Sequence, residues 1–88
     1  MNIIYKMNEN CDLIDNGDNA IIFHETTDKV FVLNDIEYEI LNLIIKKNTL
    51  NEIIDNLTKK YIGESKVIKS DVSEFISSLL KANLIIGE

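Results

Sequence analysis

Lys29-Val30-Phe31-Val32-Leu33-Asn34-Asp35-Ile36-Glu37 is the stretch whose reading decides the fold. Its first five residues, a lysine followed by four apolar residues of which Val30 and Val32 are β-branched, read as a short strand. Its last four read as the start of a helix. Asn34 suits the N-cap, and Glu37 stands three residues on, as in a capping box. The strand is apolar on both faces: Phe31 and Leu33 point one way, Val30 and Val32 the other. One face can meet the helices. The other needs a second cover or stays partly exposed.

Working back toward the N-terminus, Thr26-Thr27-Asp28 is a turn and Ala20 to His24 a second strand pattern. Asn16-Gly17-Asp18-Asn19 is a tight turn, because Asn-Gly favours positive φ. Cys11 to Asp15 is a further short strand. The spacing suits an antiparallel three-stranded meander in which Lys29 to Leu33 comes third. Met1 to Met7 reads as an extended lead-in.

Working forward, a first helix runs from Asp35 to about Lys46, with Ile36, Ile40, Leu43 and Ile44 at helical spacing. Thr49-Leu50-Asn51-Glu52 is a second capping box, and its helix carries Leu50, Ile53, Ile54, Leu57 and Tyr61 up to Gly63. A third helix is expected to begin near Ser70 or Asp71. Its apolar residues Val72, Phe75, Ile76, Leu79, Leu80 and Ala82 cover an arc of roughly 160°, wider than the minimal stripe of about 100°. That width lets it serve two neighbours. Leu84-Ile85-Ile86 follows as a tail or short strand. The fold class is therefore α+β and winged-helix-like: a three-stranded antiparallel β-sheet followed by three α-helices, in one domain spanning residues 1–88.

Composition excludes several functions. The single cysteine, Cys11, forbids an internal disulfide and suits a reducing cytosol. Neither a signal peptide nor an apolar run of roughly 18 residues is present, so no membrane role is expected and the setting is read as cytoplasmic. The net charge of −6 opposes a general affinity for nucleic acid and favours a basic partner. A small sheet with three helices also fits a DNA-reading winged helix, but the chain has no Arg for bidentate contacts to guanine. One Cys and one His make no typical zinc site, and Gly17, Gly63 and Gly87 form no phosphate-cradling loop. His24 and Cys11 read as structural residues, and Glu37 and Glu52 as caps. No catalytic residue, metal or cofactor is expected. A phosphopantetheine carrier is set aside, because Lys69-Ser70-Asp71 has the wrong order and the first third of the chain is β-rich.

The ordered set of patterns resembles the PqqD-like family, the recognition elements for ribosomally made, post-translationally modified peptides. The resemblance rests on Lys29 to Asn34, the helix from Ile36 to Leu43, Thr49 to Ile54 with Leu57 and Tyr61, and Val67 to Leu84 with Asp71-Val72, Phe75-Ile76, Leu79 and Asn83-Leu84. It covers the chain from about Met7 onward. One departure is Asn83, where the family often has Gly. Asn also adopts a left-handed cap, so the turn survives.

The resemblance implies a non-enzymatic domain that binds the leader of a precursor peptide and presents it to a maturation enzyme, such as a radical-SAM enzyme, a leader peptidase or a cyclase. The leader is expected to add as a strand to the third strand and lie against helix three. The expected site is the backbone of Lys29, Val30, Phe31, Val32 and Leu33, the side chains of Val30 and Val32, and Phe75, Ser78, Leu79 and Ala82. Asp71 and Glu74 could meet a basic leader residue. Leu33, Val72 and Leu79 also read as core, Asp71 as a helix N-terminal charge, and Lys29 as a guard of the strand edge. Two alternatives are a DNA-binding winged helix and a structural domain that forms a homodimer through the third strand. The family also occurs fused to larger enzymes, and the Met1 start favours a free protein.

Overall fold

The computed structural model describes residues 3–17, 19–61 and 63–87. Their order is β1 (Tyr5–Met7), β2 (Cys11–Asp15), β3 (Ala20–His24), β4 (Lys29–Leu33), α1 (Asp35–Ile45), α2 (Leu50–Lys60), α3 (Ser65–Lys81) and β5 (Ile85–Gly87). Strands β2, β3 and β4 form the expected antiparallel meander, with β3 in the centre and three helices following it.

Local chemistry sets most boundaries. At the β2–β3 turn Gly17 has φ +92°, and its N–H donates to Asp15 Oδ1 at 2.9 Å. At the start of α1, Glu37 N–H donates to Asn34 Oδ1 at 2.8 Å and Asn34 N–H to Glu37 Oε1 at 2.9 Å, the full capping box. Thr49 and Glu52 repeat it for α2. At the end of α3, Asn83 takes φ +59°. The N–H of Leu84 then reaches Leu79 O at 2.9 Å and that of Asn83 reaches Leu80 O at 3.1 Å, a Schellman closure with Asn in the usual glycine position.

Two features depart from the sequence reading. Helix α3 begins at Ser65, well before Ser70, and its N-cap Glu64 makes no side-chain capping bond. Packing sets this start: Ile68 lies one helical turn before Val72 and packs against the core cluster. The lead-in and tail also pair with each other. β1 and β5 form a two-stranded antiparallel sheet in the register Lys6↔Ile86, and Ile4 bridges to Thr49 at the head of α2.

The core lies between the inner face of the meander and the helices. Ile22, Leu41, Ile44, Ile53, Val72, Leu84 and Ile85 are almost fully buried. Alternation along the strands brings Cys11, Ala20, Ile22, His24 and Leu33 to this inner face. Each large aliphatic side chain taken fully out of water contributes about 1.5–3 kcal/mol. The other face of the meander carries Ile14, Ile21, Phe23, Val30 and Val32 outward.

Candidate peptide-binding cleft

Strand β4 pairs with β3 and, among the described residues, has no partner strand on its other side. Its unpaired edge faces α3 across a shallow cleft of about 200 Å³, lined by Phe31, Val32 and Leu33 from β4 and by Phe75, Ser78, Leu79 and Ala82 from α3, with Glu37 and Leu84 closing the ends. The floor is apolar. Leu33 and Leu79 are core residues at 5% and 3% exposure, whereas Phe31, Phe75 and Ala82 are half-buried and remain open to a ligand. The Ser78 hydroxyl donates to Phe75 O at 2.7 Å, so it is turned back onto the helix.

A second cleft of about 470 Å³ adjoins the first, between the N-terminus of α1, the C-terminus of α2 and the first half of α3. Phe75 and Glu37 line both. Its walls are Ile36, Ile40, Leu57, Tyr61, Val67, Ile68 and Val72, and its rim carries Glu37, Glu64 and Asp71. Ile36 and Val67, at 48% and 54% exposure, are the apolar side chains most open to solvent here. Together the two clefts form one largely apolar channel along α3, with Glu37 where they meet and Glu64 and Asp71 rimming the second.

Of the expected site residues, Phe31, Val32, Leu33, Phe75, Ser78, Leu79 and Ala82 come together in the first cleft. Asp71 lies at the second. Lys29 and Val30 border neither; Val30 projects from the outward face of the sheet. Glu74 is exposed on α3 outside both clefts. Sequence reasoning did not single out Ile36, Tyr61, Val67 and Ile68 as site residues. Val67 and Ile68 would have emerged had α3 been started at Ser65, since both then fall on the same helix as Phe75 and Asp71.

The polar contacts around the channel are structural. Glu39 accepts from Lys60 and, at 2.8 Å, from the Tyr61 hydroxyl. Burial pushes the Glu39 carboxyl up, but these two donors and the Lys60 charge outweigh it and leave it below its ordinary range. This cluster ties the end of α2 to α1 and orients the Tyr61 ring at the second cleft. On the opposite side the Tyr38 hydroxyl donates to Asp15 Oδ2 at 2.6 Å, tying α1 to the β2–β3 turn.

The other chemistry-bearing residues lie elsewhere. Cys11 is buried beneath the sheet, where burial first and the Asp12 and Glu25 charges second push its thiol up. A thiol so placed is a poor nucleophile. His24 is buried beside it, and its Nδ1 has no hydrogen-bond partner among the described residues. Among those residues no cluster of His, Cys, Asp and Glu is arranged to hold a metal, and no helix is long and apolar enough to cross a membrane.

The fold and its open strand edge define a class, the small α+β domains in which a meander is followed by three helices. Residues 19–85 match the profile of the family described as coenzyme PQQ synthesis protein D (PqqD). The chain belongs to that family. Two solved structures share the fold. One is a lasso peptide synthetase B1 complexed with the leader peptide, with a TM-score of 0.87 and 13% identity, over 93% of this chain and 96% of that one. The other is TbiB1 in complex with the TbiA(beta) leader peptide, with a TM-score of 0.85 and 20% identity, over 91% of this chain and 93% of that one. No curated protein matches the chain in sequence.

Proposed function

We propose that residues 1–88 act as a single non-catalytic domain that binds the leader of a ribosomally synthesised precursor peptide and presents it to a modifying enzyme. The leader adds as a strand to the free edge of β4. Its backbone pairs with that of Lys29 to Leu33, and every second side chain enters the cleft against α3. One observation carries the reading: the unpaired β4 edge stands opposite an apolar helix face at a distance that leaves a cleft rather than a packed core. Family membership supports it. Two proteins of the same fold, each in complex with a leader peptide, support it further.

Of the two edges of the meander among the described residues, β4 is the one suited to this role. β2, at the other edge, carries Asp12 and Asp15, and charge on an edge strand discourages pairing. β4 carries a single charge, Lys29, at its far end. The acid rim formed by Glu37, Glu64 and Asp71 favours a leader with a basic residue next to its apolar anchors.

The test is a fluorescence-anisotropy titration of the labelled leader peptide of a cognate precursor against the wild-type chain and Val32→Lys. Val32 is 67% exposed, so the variant is expected to fold. Saturable binding weakened about tenfold or more, roughly 1.4 kcal/mol, is the expected result. Absence of binding to the folded wild-type chain at high micromolar concentration would sink the reading. Leu79→Ala is the wrong probe, since removing that buried side chain costs about 2–5 kcal/mol of stability by itself.

A further inference from the structure

The second cleft begins where β4 ends. Asn34, Ile36 and Glu37, which follow Leu33, line it, and it shares Phe75 and Glu37 with the first cleft. A leader strand that leaves the β4 edge past Leu33 is therefore led along α3 into the second cleft. Helical spacing sets what it meets there. Asp71 stands one turn before Phe75, about 6 Å along the axis, and Glu64 stands two turns before Asp71, about 10 Å further. All three fall on one side of α3. Between the two carboxylates the walls are apolar, with Val67 on α3 and Ile36 on α1 at 54% and 48% exposure.

The three carboxylates on this cleft are not equivalent. Glu37 already accepts the Asn34 N–H in its capping box. Glu64 and Asp71 are exposed, and the ion pairs among the described residues, Lys59–Asp55 and Lys60–Glu39, leave both out. Helix α3 offers Asp71 no cation of its own. The residues three and four before it are Ile68 and Val67, and those three and four after it are Glu74 and Phe75. Uncompensated negative charge thus stands beside an apolar groove that continues the peptide cleft.

We propose that Asp71 and Glu64 make the second cleft the specificity site, selecting a leader that carries a lysine or arginine about two residues beyond the one packed on Phe75. Two extended residues span about 6.6 Å and return the side chain to the same face, which matches the step from Phe75 to Asp71. The aliphatic stem of the cation lies on the apolar wall near Val67, and its charged head meets Asp71, with Glu64 adding to the field. The inference rests on the leader-binding reading and goes beyond strand addition, whose backbone hydrogen bonds carry no preference for a side chain.

The experiment is a fluorescence-anisotropy titration with two forms of the labelled leader peptide of a cognate precursor, the natural one and one with that basic residue replaced by Glu. Both are titrated against wild type, Asp71→Asn, Glu64→Gln, Asp71→Lys and Glu74→Gln, with circular dichroism recorded for each. Glu74 lies on α3 outside both clefts, so its variant reports the effect of net charge alone. Asp71→Asn and Glu64→Gln are expected to weaken the natural peptide about threefold, and Glu74→Gln to leave it unchanged. The Glu-bearing peptide is expected to bind wild type about tenfold more weakly and to recover on Asp71→Lys. A natural leader without a basic residue at that spacing, unchanged affinity in folded Asp71→Asn and Glu64→Gln, or equal weakening by Glu74→Gln would overturn the specificity site while leaving strand addition intact. Absence of binding between the natural peptide and wild type would instead remove the reading on which the inference rests.

Discussion

Asp15 and Glu25 are carboxylates on neighbouring turns of one sheet, and they are shifted in opposite directions. Asp15 accepts from the Tyr38 hydroxyl first and the Gly17 N–H second, which holds it below its ordinary range. Its contribution to stability is therefore present above about pH 4 and fades as pH falls through the lowered folded-state value. Glu25 is held up, first by its hydrogen bond to Asp12 and then by the Asp12 charge. It favours the fold when protonated and loses that contribution as pH rises through the raised value. Tyr38→Phe is predicted to return the Asp15 carboxyl toward its ordinary range and to make the acid limb of the stability profile shallower. A carboxyl-carbon NMR titration of Asp15 checks this, and an unchanged Asp15 titration would mean that the Gly17 N–H alone sets the shift.

At the scale of elements, helices α1 and α2 were legible because each begins with a full capping box, Asn34/Glu37 and Thr49/Glu52, and these boxes exist as hydrogen bonds. Helix α3 was legible in its amphipathic half but not in its start. Ser70-Asp71 looks like a cap and is mid-helix, whereas Glu64, the true cap, makes no capping bond. Misplacing that boundary hid Val67 and Ile68, and with them the larger cleft. The β1–β5 pairing was not legible either, since it joins opposite ends of the chain through a register that no local pattern encodes. Glu64→Asp offers α3 the short carboxylate an N-cap needs while keeping the charge at the positive end of the helix. It is predicted to raise unfolding stability by about 0.5–1 kcal/mol. In urea unfolding this appears as a higher midpoint at constant m. No shift would mean that the first turn of α3 is already satisfied by other contacts.

Across the whole molecule, one strand carries two surfaces. The backbone edge of β4 faces the α3 cleft, and its Val30 and Val32 side chains face the open side of the sheet. The meander order and the apolar character of Lys29 to Leu33 were readable from sequence. That the channel continues past Phe75 to an acid rim was not, because it needs α1, α2 and α3 brought together in space. The central claim is strand addition at β4, and amide hydrogen exchange of the isotope-labelled chain, with and without saturating leader peptide, tests it most directly. The account predicts new protection at alternate amides within residues 29–33, with shifts at Phe75 and Ser78 and little change in β2. Protection confined to the β2 edge, or leader binding that leaves residues 29–33 exchanging as before, would contradict it.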